Sequence, residues 1–506
     1  MNSNVAPATG RLRQRRLGID TYQEPVVYLR RDCPVIKSEG FEAKSRVQVS
    51  RGDRQVVATV NVVHFALLGD EEIGLSEAAW RALGGQDGEL VELAHPRPTK
   101  SFATVRAKIF GRPISASGAD AITRDIAAGR YSDIELAALI TACSGNRLDI
   151  AETGELTRAM VERGQRLHWD AGIVVDKHCI GGLPGNRTTL LVVPIVAACG
   201  LTIPKTSSRA ITSPAGTADT MATLAPVNLD LAAMRRTVDR EGGCVVWGGA
   251  VALSPVDDLL IRVERPLELD SDGLLVASVL SKKIAAGSTH VLIDMPVGRS
   301  AKVRSPEAAQ ALSERMAAVG RDLGLAVQVL MTDGTQPVGR GIGPALEAWD
   351  VLAVLQNDAD APDDLRQRGL ILAAAVLEMG GAAAPGAGLA MARQTLASGA
   401  AWRKFQAMCA AQGGMLEPPR AAYTRAVASL HAGRVAAIDN RRLATAAKLA
   451  GAPRAAAAGM LFHAPIGCLV EVGQPLFTLH AESPGELAYA LDYVRAQEGL
   501  ISIQES

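Results

Sequence analysis

Two short segments between Asp176 and Asp219 combine cationic side chains with glycines and hydroxyls, which are groups that bind oxyanions. The first segment, residues 177–182, reads Lys-His-Cys-Ile-Gly-Gly. The second segment, residues 207–217, reads Ser-Ser-Arg-Ala-Ile-Thr-Ser-Pro-Ala-Gly-Thr. Glycine amides, an ammonium and several hydroxyls could together surround one anion, and phosphate is the anion that suits them.

Regular elements predicted around these segments would bring them together. Residues 172–175 are apolar and predict a buried strand that ends at Asp176. Residues 188–199 are apolar almost all round, as in a helix that packs on a sheet. The predicted order is strand, glycine loop, helix, strand and hydroxyl-rich loop. Open α/β sheets bind their ligands at the carboxyl ends of parallel strands, where both loops would lie.

Two other interpretations of these loops are weaker. Glycines also permit tight turns, and serine or threonine also caps helices. A nucleotide-binding Walker loop is the second alternative, but residues 185–188 read Gly-Asn-Arg-Thr, without the lysine and the glycine spacing of that motif. We therefore expect an oxyanion site, with phosphate as the ligand.

The composition favours a large globular protein of several domains. The chain has 506 residues, and 48% of them are hydrophobic. This length exceeds what one core usually holds, so three or four domains are expected. The 53 acidic and 53 basic side chains balance, and residues 11–16 are the only long basic run. Nucleic-acid binding is therefore not favoured. Residues 1 to about 20, which are polar and basic, are expected to be frayed.

The cysteines predict a reduced protein. They lie at positions 33, 143, 179, 199, 244, 409 and 468, with no C-x-x-C pair and without the histidine spacing of a zinc site. This pattern predicts a cytoplasmic location and no metal. The amino terminus lacks the apolar core of a signal peptide, and Glu378 interrupts the apolar run 369–384, so no membrane span is expected.

The hydrophobic pattern predicts a multidomain α/β protein. Residues 1–95 place short apolar runs between glycine, aspartate and proline, which predicts a small, mostly β domain. After the Pro-Arg-Pro boundary at 96–98, helical spacing predicts a helical domain over residues 96–170. Alternating strands and helices predict a large α/β domain with a mainly parallel sheet over residues 171–430. Hairpins and one helix predict an α+β domain over residues 431–506.

The carboxyl-terminal pattern also offers a different class of function. Residues 467–479 have the hairpin pattern of lipoyl-type carrier modules. A carrier of this kind holds its prosthetic group on a lysine, but Lys448 is the only lysine after His431, and it lies in an alanine-rich helical segment. A swinging carrier is therefore not the favoured function.

Four ordered motifs resemble one known family. They are Asp176-Lys177-His178 with Gly181-Gly182, then Ser207-Ser208-Arg209-Ala210, then Gly216-Thr217-Ala218-Asp219, and finally residues 277–283, Ala-Ser-Val-Leu-Ser-Lys-Lys. Over nearly its full length the chain resembles the thymidine and pyrimidine-nucleoside phosphorylases. It is most similar to their long subgroup, which has an extra amino-terminal domain and includes archaeal AMP phosphorylases.

The resemblance implies phosphorolysis, in which thymidine and inorganic phosphate give thymine and 2-deoxyribose 1-phosphate without a cofactor. An AMP phosphorylase, which gives the base and ribose 1,5-bisphosphate, is the alternative. The implied phosphate- and substrate-binding residues are Lys177, Gly182, Ser208, Arg209, Ala210, Ile211, Thr212, Ser213, Thr217, Ser278 and Lys302. The implied catalytic residues are Asp270, His178 and Lys282. Asp270 would be the acid, as the AMP-type members imply, and a carboxyl group donates a proton only if its pKa is raised.

Departures from the shorter family members leave the substrate open. Cys179 replaces a serine that helps to hold phosphate there, and residues 184–186 differ from their loop. Residues 260–270 are altered where those enzymes place a base-reading arginine. An AMP enzyme would need further cations for the 5′-phosphate, for which Arg209 and Lys302 are candidates. Family members work as dimers, which implies a homodimer or a higher homo-oligomer.

Overall fold

The computed structural model describes residues 10–65, 67–210, 213–251, 253–267, 269, 271–497 and 499–504. The chain divides into two compact units, Met1–Ala142 and Cys143–Ser506.

The first unit contains a closed six-stranded barrel with the strand order β1-β5-β2-β4-β3-β6. Its strands are β1 (Arg11–Arg16), β2 (Val26–Arg30), β3 (Arg46–Arg51), β4 (Arg54–Val63), β5 (Glu72–Leu75) and β6 (Leu90–Ala94), with helices α1 (Pro34–Glu39) and α2 (Glu77–Leu83). Inward side chains of the strands, among them Val27, Val49 and Ile73, form its core. Closure satisfies the strand edges, which would otherwise be open to pairing with another chain. Helices α3 (Phe102–Ile109), α4 (Ala116–Ala127) and α5 (Asp133–Cys143) follow.

The basic run at residues 11–16 is a strand, so the expectation of a frayed end was wrong there. Leu12 and Gln14 are buried, and the arginines alternate with them. Arg11 donates from Nε to Glu92 at 2.8 Å, and Arg16 donates from Nε to Glu77 at 2.7 Å. Neighbouring elements therefore supply the carboxylates that this run lacks locally.

The second unit contains a parallel sheet. Its strands are β7 (Val175–Cys179), β8 (Ile203–Ser207), β9 (Gly243–Trp247), β10 (His290–Val297) and β11 (Ala326–Asp333). The order β11-β10-β7 and the pair β8-β9 are parallel, and a parallel bridge between Val174 and Thr202 joins the two groups. The carboxyl ends of the strands therefore lie at one edge, as expected for the predicted mainly parallel sheet.

Helices cover this sheet and connect its strands. They are α6 (Ile150–Arg163), α7 (Thr189–Ala198), α8 (Thr217–Ala222), α9 (Leu231–Glu241), α10 (Pro255–Leu267), α11 (Asp272–Ala285), α12 (Pro306–Asp322), α13 (Pro344–Leu355), α14 (Asp363–Met379), α15 (Gly388–Ala397) and α16 (Ala400–Ala411), with a 3₁₀ turn at Gly248–Val251. Helix α7 is buried along its length, as its apolar sequence predicts. It packs in the largest core with α13, α14 and α16.

The carboxyl-terminal part is α+β, as the hairpin pattern predicts. It comprises β12 (Gly341–Ile342), β13 (Tyr423–Ala428), β14 (Gly433–Ile438), β15 (Gly459–Phe462), β16 (Leu469–Val470), β17 (Pro475–Ala481) and β18 (Ile501–Gln504), with helices α17 (Asn440–Leu449) and α18 (Pro484–Ala496). Two sheets form, with the orders β12-β15-β17-β13 and β16-β14-β18. Strands β12 and β13, which precede residue 431, both belong to the first of these sheets. No helix in the described ranges is long and apolar enough to cross a membrane.

Candidate active site

Strand β7 positions the first predicted segment. It runs from Val175 to Cys179, so it continues through Lys177 and does not end at Asp176 as expected. Side chains alternate across a strand, which sends Asp176 and His178 to one face and Lys177 and Cys179 to the other. The two faces have different charge environments.

Lys177 forms a fully buried ion pair with Asp294 of β10. The Lys177 ammonium lies 3.0 Å from Asp294 Oδ2, and neither side chain is exposed. The ammonium also donates to Thr188 Oγ1 at 2.8 Å, and Thr332 donates to Asp294 Oδ1 at 2.8 Å. Burial by itself raises the pKa of Asp294, but Lys177 and the Thr332 hydrogen bond outweigh it, so this pKa is lowered. The strand can therefore carry a charge into the core.

The glycine loop, residues 180–188 between β7 and α7, closes over this pair. Asn186, which has a positive φ of 52°, donates from Nδ2 to Cys179 Sγ at 3.2 Å and to Asp294 Oδ2 at 3.3 Å. Burial and Asp294 raise the pKa of Cys179 to about 11, so its thiol stays protonated. A Cβ at Gly182, whose φ is 84°, would lie 2.4 Å from the backbone nitrogen of Lys302. Only glycine permits this approach, which brings the Lys302 backbone against the loop.

The hydroxyl-rich loop is organised by Asp219. Its Oδ2 accepts hydrogen bonds from the Ala210 amide at 2.6 Å and the Gly216 amide at 3.0 Å, and its Oδ1 lies 3.1 Å from Arg209. The Ser213 hydroxyl donates to the Ala215 carbonyl at 2.9 Å. The loop is therefore folded back on the start of α8, with the Ser208 and Arg209 side chains exposed.

Arg187 links the two loops. It donates from one terminal nitrogen to Thr217 Oγ1 at 3.0 Å and from the other to the Ala215 carbonyl at 3.2 Å. Its Nε lies 2.5 Å from Glu347 of α13. The glycine loop and the hydroxyl-rich loop therefore form one connected structure.

The opposite face of β7 has two lysines for one carboxylate. Asp176 lies 2.7 Å from the Lys283 ammonium and 3.6 Å from the Lys205 ammonium, and all three side chains are buried. Burial lowers the pKa of Lys205, Asp176 opposes this shift, and Lys283 adds to it. Burial and then the charges of Lys283 and Lys205 lower the pKa of His178. His178 is therefore neutral at pH 7.

The residues predicted for the base side lie on α11 and near it. Lys282 donates to Ser278 Oγ at 3.1 Å and to Asp257 Oδ2 of α10 at 2.6 Å. Burial and Asp257 raise the pKa of half-buried Glu264 to about 7, while Lys302 and Lys282 oppose this shift. A carboxyl group that is partly protonated near neutral pH therefore lies within the field of both lysines.

Three protein-family models match the chain. They are a glycosyl transferase family helical bundle domain at residues 103–164, a glycosyl transferase family a/b domain at residues 171–402, and a pyrimidine nucleoside phosphorylase C-terminal domain at residues 434–499. A protein from Polaromonas sp., named "Putative thymidine phosphorylase", is 65% identical over 98% of this chain and 97% of its own length. The chain belongs to the thymidine and pyrimidine-nucleoside phosphorylase family.

Other relatives agree with this family. Proteins of the same name from Hahella chejuensis and Legionella pneumophila strain Paris are 57% and 54% identical, each over 97% or more of this chain and 96% or more of their own length. Among solved structures, anthranilate phosphoribosyltransferase from Thermus thermophilus matches 61% of this chain and 99% of its own, with a TM-score of 0.52 and 22% identity. That likeness concerns the fold alone. As a member of the family, the protein is a pentosyltransferase.

The structure brings many of the predicted site residues into two linked loops. Lys177, Gly182, Ser208, Arg209, Ala210, Ser213 and Thr217 lie on or beside them, and Lys302 lies against Gly182. His178 lies on the other face of β7, and Ser278 and Lys282 contact each other on α11. Ile211, Thr212 and Asp270 lie outside the described residues. Across the described ranges, no group of three or more His, Cys, Asp or Glu residues could hold a metal ion.

Sequence reasoning missed Asp294, Arg187 and Glu347, and it gave Ser207, which is part of the second segment, no role of its own. Asp294 is an acidic residue inside an otherwise apolar strand, which is a signal that could have been used. Ser207 ends β8, and its buried hydroxyl has no partner among the residues described. Arg187 and Glu347 are 160 positions apart, and no local pattern connects them.

Proposed function

We propose that this protein is a thymidine, or more broadly a pyrimidine-nucleoside, phosphorylase. The observation that carries the proposal is the joining of the two loops with phosphate-type donors through Arg187 and Thr217, beside buried Lys177. Family membership and the names of the relatives support the same activity. Inorganic phosphate is the co-substrate, and no cofactor or metal takes part.

In the proposed reaction, the loops hold phosphate beneath the anomeric carbon of the nucleoside. A phosphate oxygen forms a bond to the anomeric carbon while the bond between that carbon and the base nitrogen breaks. The base leaves with the electron pair of the broken bond. Lys177 and the hydroxyls of Ser208 and Thr217 bind phosphate, and Ser213 joins them when its hydroxyl turns from the Ala215 carbonyl to phosphate. Holding both reactants in line lowers the barrier.

The departing base needs a cation or a proton donor. Ser278 and Lys282 would contact the base, and Asp270 is the proposed acid. Neutral His178 can donate a hydrogen bond to the ribose or the base without adding charge. The raised pKa of Glu264 supports a second carboxyl that can hold a proton on this side.

AMP phosphorolysis is the second candidate because an additional cation lies at the loop. Lys302 contacts Gly182 through its backbone, and its side chain is exposed. Arg209, which pairs with Asp219, retains substantial exposure as well. Either cation could bind a 5′-phosphate by a charge-assisted hydrogen bond.

The test is base release from thymidine, uridine and AMP, each with and without inorganic phosphate. We expect release from thymidine or uridine that requires phosphate and continues in the presence of a chelator. Release in phosphate-free buffer would contradict phosphorolysis, and loss of activity with the chelator would contradict the metal-free reaction. A clear preference for AMP would instead favour the second candidate.

We also propose a homo-oligomer in the cytoplasm. Phe110, directly after α3, and Ile134 on α5 are 85% and 76% exposed, which favours burial of this helical layer against another copy. None of the seven cysteines, all of which lie in the described ranges, forms a disulfide, which supports a reducing compartment. Light scattering should give a mass above that of the 52.9 kDa monomer. Removal of residues 1–95 should lower the assembly order and leave phosphate binding intact.

A further inference from the structure

We propose that Arg187, held by Glu347, is a positioning residue that fixes the phosphate-binding geometry of Thr217. The inference rests on the proposed phosphate site, because it assigns to Arg187 a role in arranging that site. It adds a residue from the loop in which this chain differs from the shorter family members.

Arg187 lies just before α7 and makes several hydrogen bonds. Its side chain is only 11% exposed, and it follows Asn186, whose positive φ turns the loop. Nε lies 3.0 Å from the Gly185 carbonyl and 2.5 Å from Glu347 Oε2, while the two terminal nitrogens reach Thr217 and Ala215. A planar guanidinium can serve all these acceptors at once, whereas an ammonium cannot.

Glu347 provides a fixed anchor for this guanidinium. The carboxylate is buried, with Oε1 accepting from the Gly343 amide at 3.2 Å and Oε2 accepting from Thr220 Oγ1 at 3.0 Å. Thr220 lies on α8, one turn after Thr217. Glu347 therefore contacts α8 directly through Thr220. It is connected to Thr217, at the start of α8, indirectly through Arg187.

The contact with Arg187 decides what the Thr217 hydroxyl can do. A hydroxyl has one proton to donate and two lone pairs that accept. Because Arg187 can only donate, it occupies a lone pair of Thr217 Oγ1 and leaves the hydroxyl proton for another acceptor. A phosphate oxygen is such an acceptor, and donation from a cation strengthens the hydrogen bond that Thr217 then makes. Arg187 thus acts on phosphate through Thr217.

The experiment measures the Kd of inorganic phosphate for the full chain by calorimetry. The variants are Arg187→Met, Arg187→Lys, Thr217→Val and the double variant Arg187→Met with Thr217→Val. We expect Arg187→Met to weaken phosphate binding by about tenfold or more, since a hydrogen bond involving a charged group is lost. Arg187→Lys, which keeps the charge beside Glu347, should recover only part of the affinity. The KM for phosphate should rise more than the KM for the nucleoside.

The double variant separates positioning through Thr217 from a direct or purely structural effect. If Arg187 acts through Thr217, the double variant binds phosphate about as weakly as the weaker single variant. Fully additive losses, or a Kd within twofold of the parent in both Arg187 variants, would overturn the proposal. Arg187→Lys keeps the ion pair, so if Arg187→Met does not fold, the same two criteria apply to Arg187→Lys alone and to Arg187→Lys combined with Thr217→Val.

Lys404→Met is the matched control. Lys404 lies 3.1 Å from buried Glu241 and forms a similar cation–carboxylate pair on α16 and α9. Its loss should leave the phosphate Kd unchanged. Phosphate binding is measured without turnover, so a parent that binds phosphate but releases no base would refute the proposed function while the Arg187 comparison still stands. A parent that binds no phosphate would refute both.

Discussion

The two faces of strand β7 show opposite solutions to burying a cation. On one face, Lys177 and Asp294 balance each other at 3.0 Å, and hydroxyls complete their hydrogen bonds. On the other face, Asp176 faces both Lys205 and Lys283, and its Oδ1 accepts no hydrogen bond from any described group. Adjacent residues of one strand therefore lie in a neutral environment and in one with excess positive charge.

The two faces therefore have different roles: one fixes the geometry of the site, and the other shifts the pKa of a neighbouring side chain. A balanced buried pair fixes geometry, because removing either partner leaves an uncompensated charge. An excess of positive charge instead shifts the protonation of its neighbours, and here burial and then the charges of Lys283 and Lys205 lower the pKa of His178. Lys177 thus supports the glycine loop, while burial and the lysines on the other face keep His178 neutral.

The largest effect is expected from breaking the balanced pair. Lys177→Met leaves Asp294 charged, buried and unpaired, which should cost about 3–5 kcal/mol of folding stability. The midpoint of chemical denaturation, compared with that of the parent, measures this loss. The double variant Lys177→Met with Asp294→Asn should recover most of the stability but not the affinity for phosphate. Recovery of both would mean that Lys177 has no role in the phosphate site.

The next largest effect is expected at Glu347, which pairs with Arg187 of the glycine loop beside Lys177. Burial raises the pKa of Glu347 to about 7, although Arg187 opposes the shift. Between pH 4.5 and 7 the folded protein holds a proton that the unfolded chain releases, so stability falls as pH rises. This contribution amounts to roughly 3 kcal/mol across the window.

Glu347→Gln should remove that part of the pH dependence. Denaturation midpoints at several pH values between 4.5 and 7 test it. Neighbouring Asp350, whose burial raises its pKa to about 6, contributes in the same direction and remains in both proteins. An identical slope in parent and variant would contradict the assignment to Glu347.

Lys205→Met should have a smaller effect on folding stability, and the pH dependence that it removes has the opposite sign to that of Glu347. Asp176 keeps Lys283 as its partner at 2.7 Å, so no charge is orphaned. Since the folded pKa of Lys205 is lowered, the parent should gain stability as pH rises from that pKa towards 10.5, by at most about 1.4 kcal/mol per pH unit. The variant should lack this slope and be at least as stable at pH 7. A large loss of stability at pH 7 would show that both lysines are structural.

The same variant should also change His178 without changing the fold. Removing one nearby positive charge favours the imidazolium, so the pKa of His178 should rise towards 6.5. Carbon-13 NMR titration of labelled histidines in the parent and in Lys205→Met measures this shift, with His178→Gln to assign the signal. An unchanged pKa of His178 would mean that the charge of Lys205 does not contribute to its lowering.

Several local features could be predicted from the sequence because they depend on short-range patterns. The apolar run 188–199 predicts a buried helix, and α7 occupies Thr189–Ala198. Alternation of strands and helices predicts the mainly parallel sheet, and the glycine and hydroxyl motifs lie at its carboxyl edge. The end of β7 was predicted too early because a lysine is expected to face solvent and not to lie inside a buried strand. Lys177 can be buried because Asp294, 117 positions later, pairs with its charge.

The sequence by itself determined the family, the order of the elements and the two phosphate-type loops, since periodicity and motif spacing are local properties. Only the tertiary structure decided which charges meet: Lys177 with Asp294, Asp176 with Lys205 and Lys283, and Arg187 with Glu347. These partners are tens to more than a hundred positions apart. Their protonation depends on burial and on the sum of surrounding charges, which exist only once the strands and helices have packed.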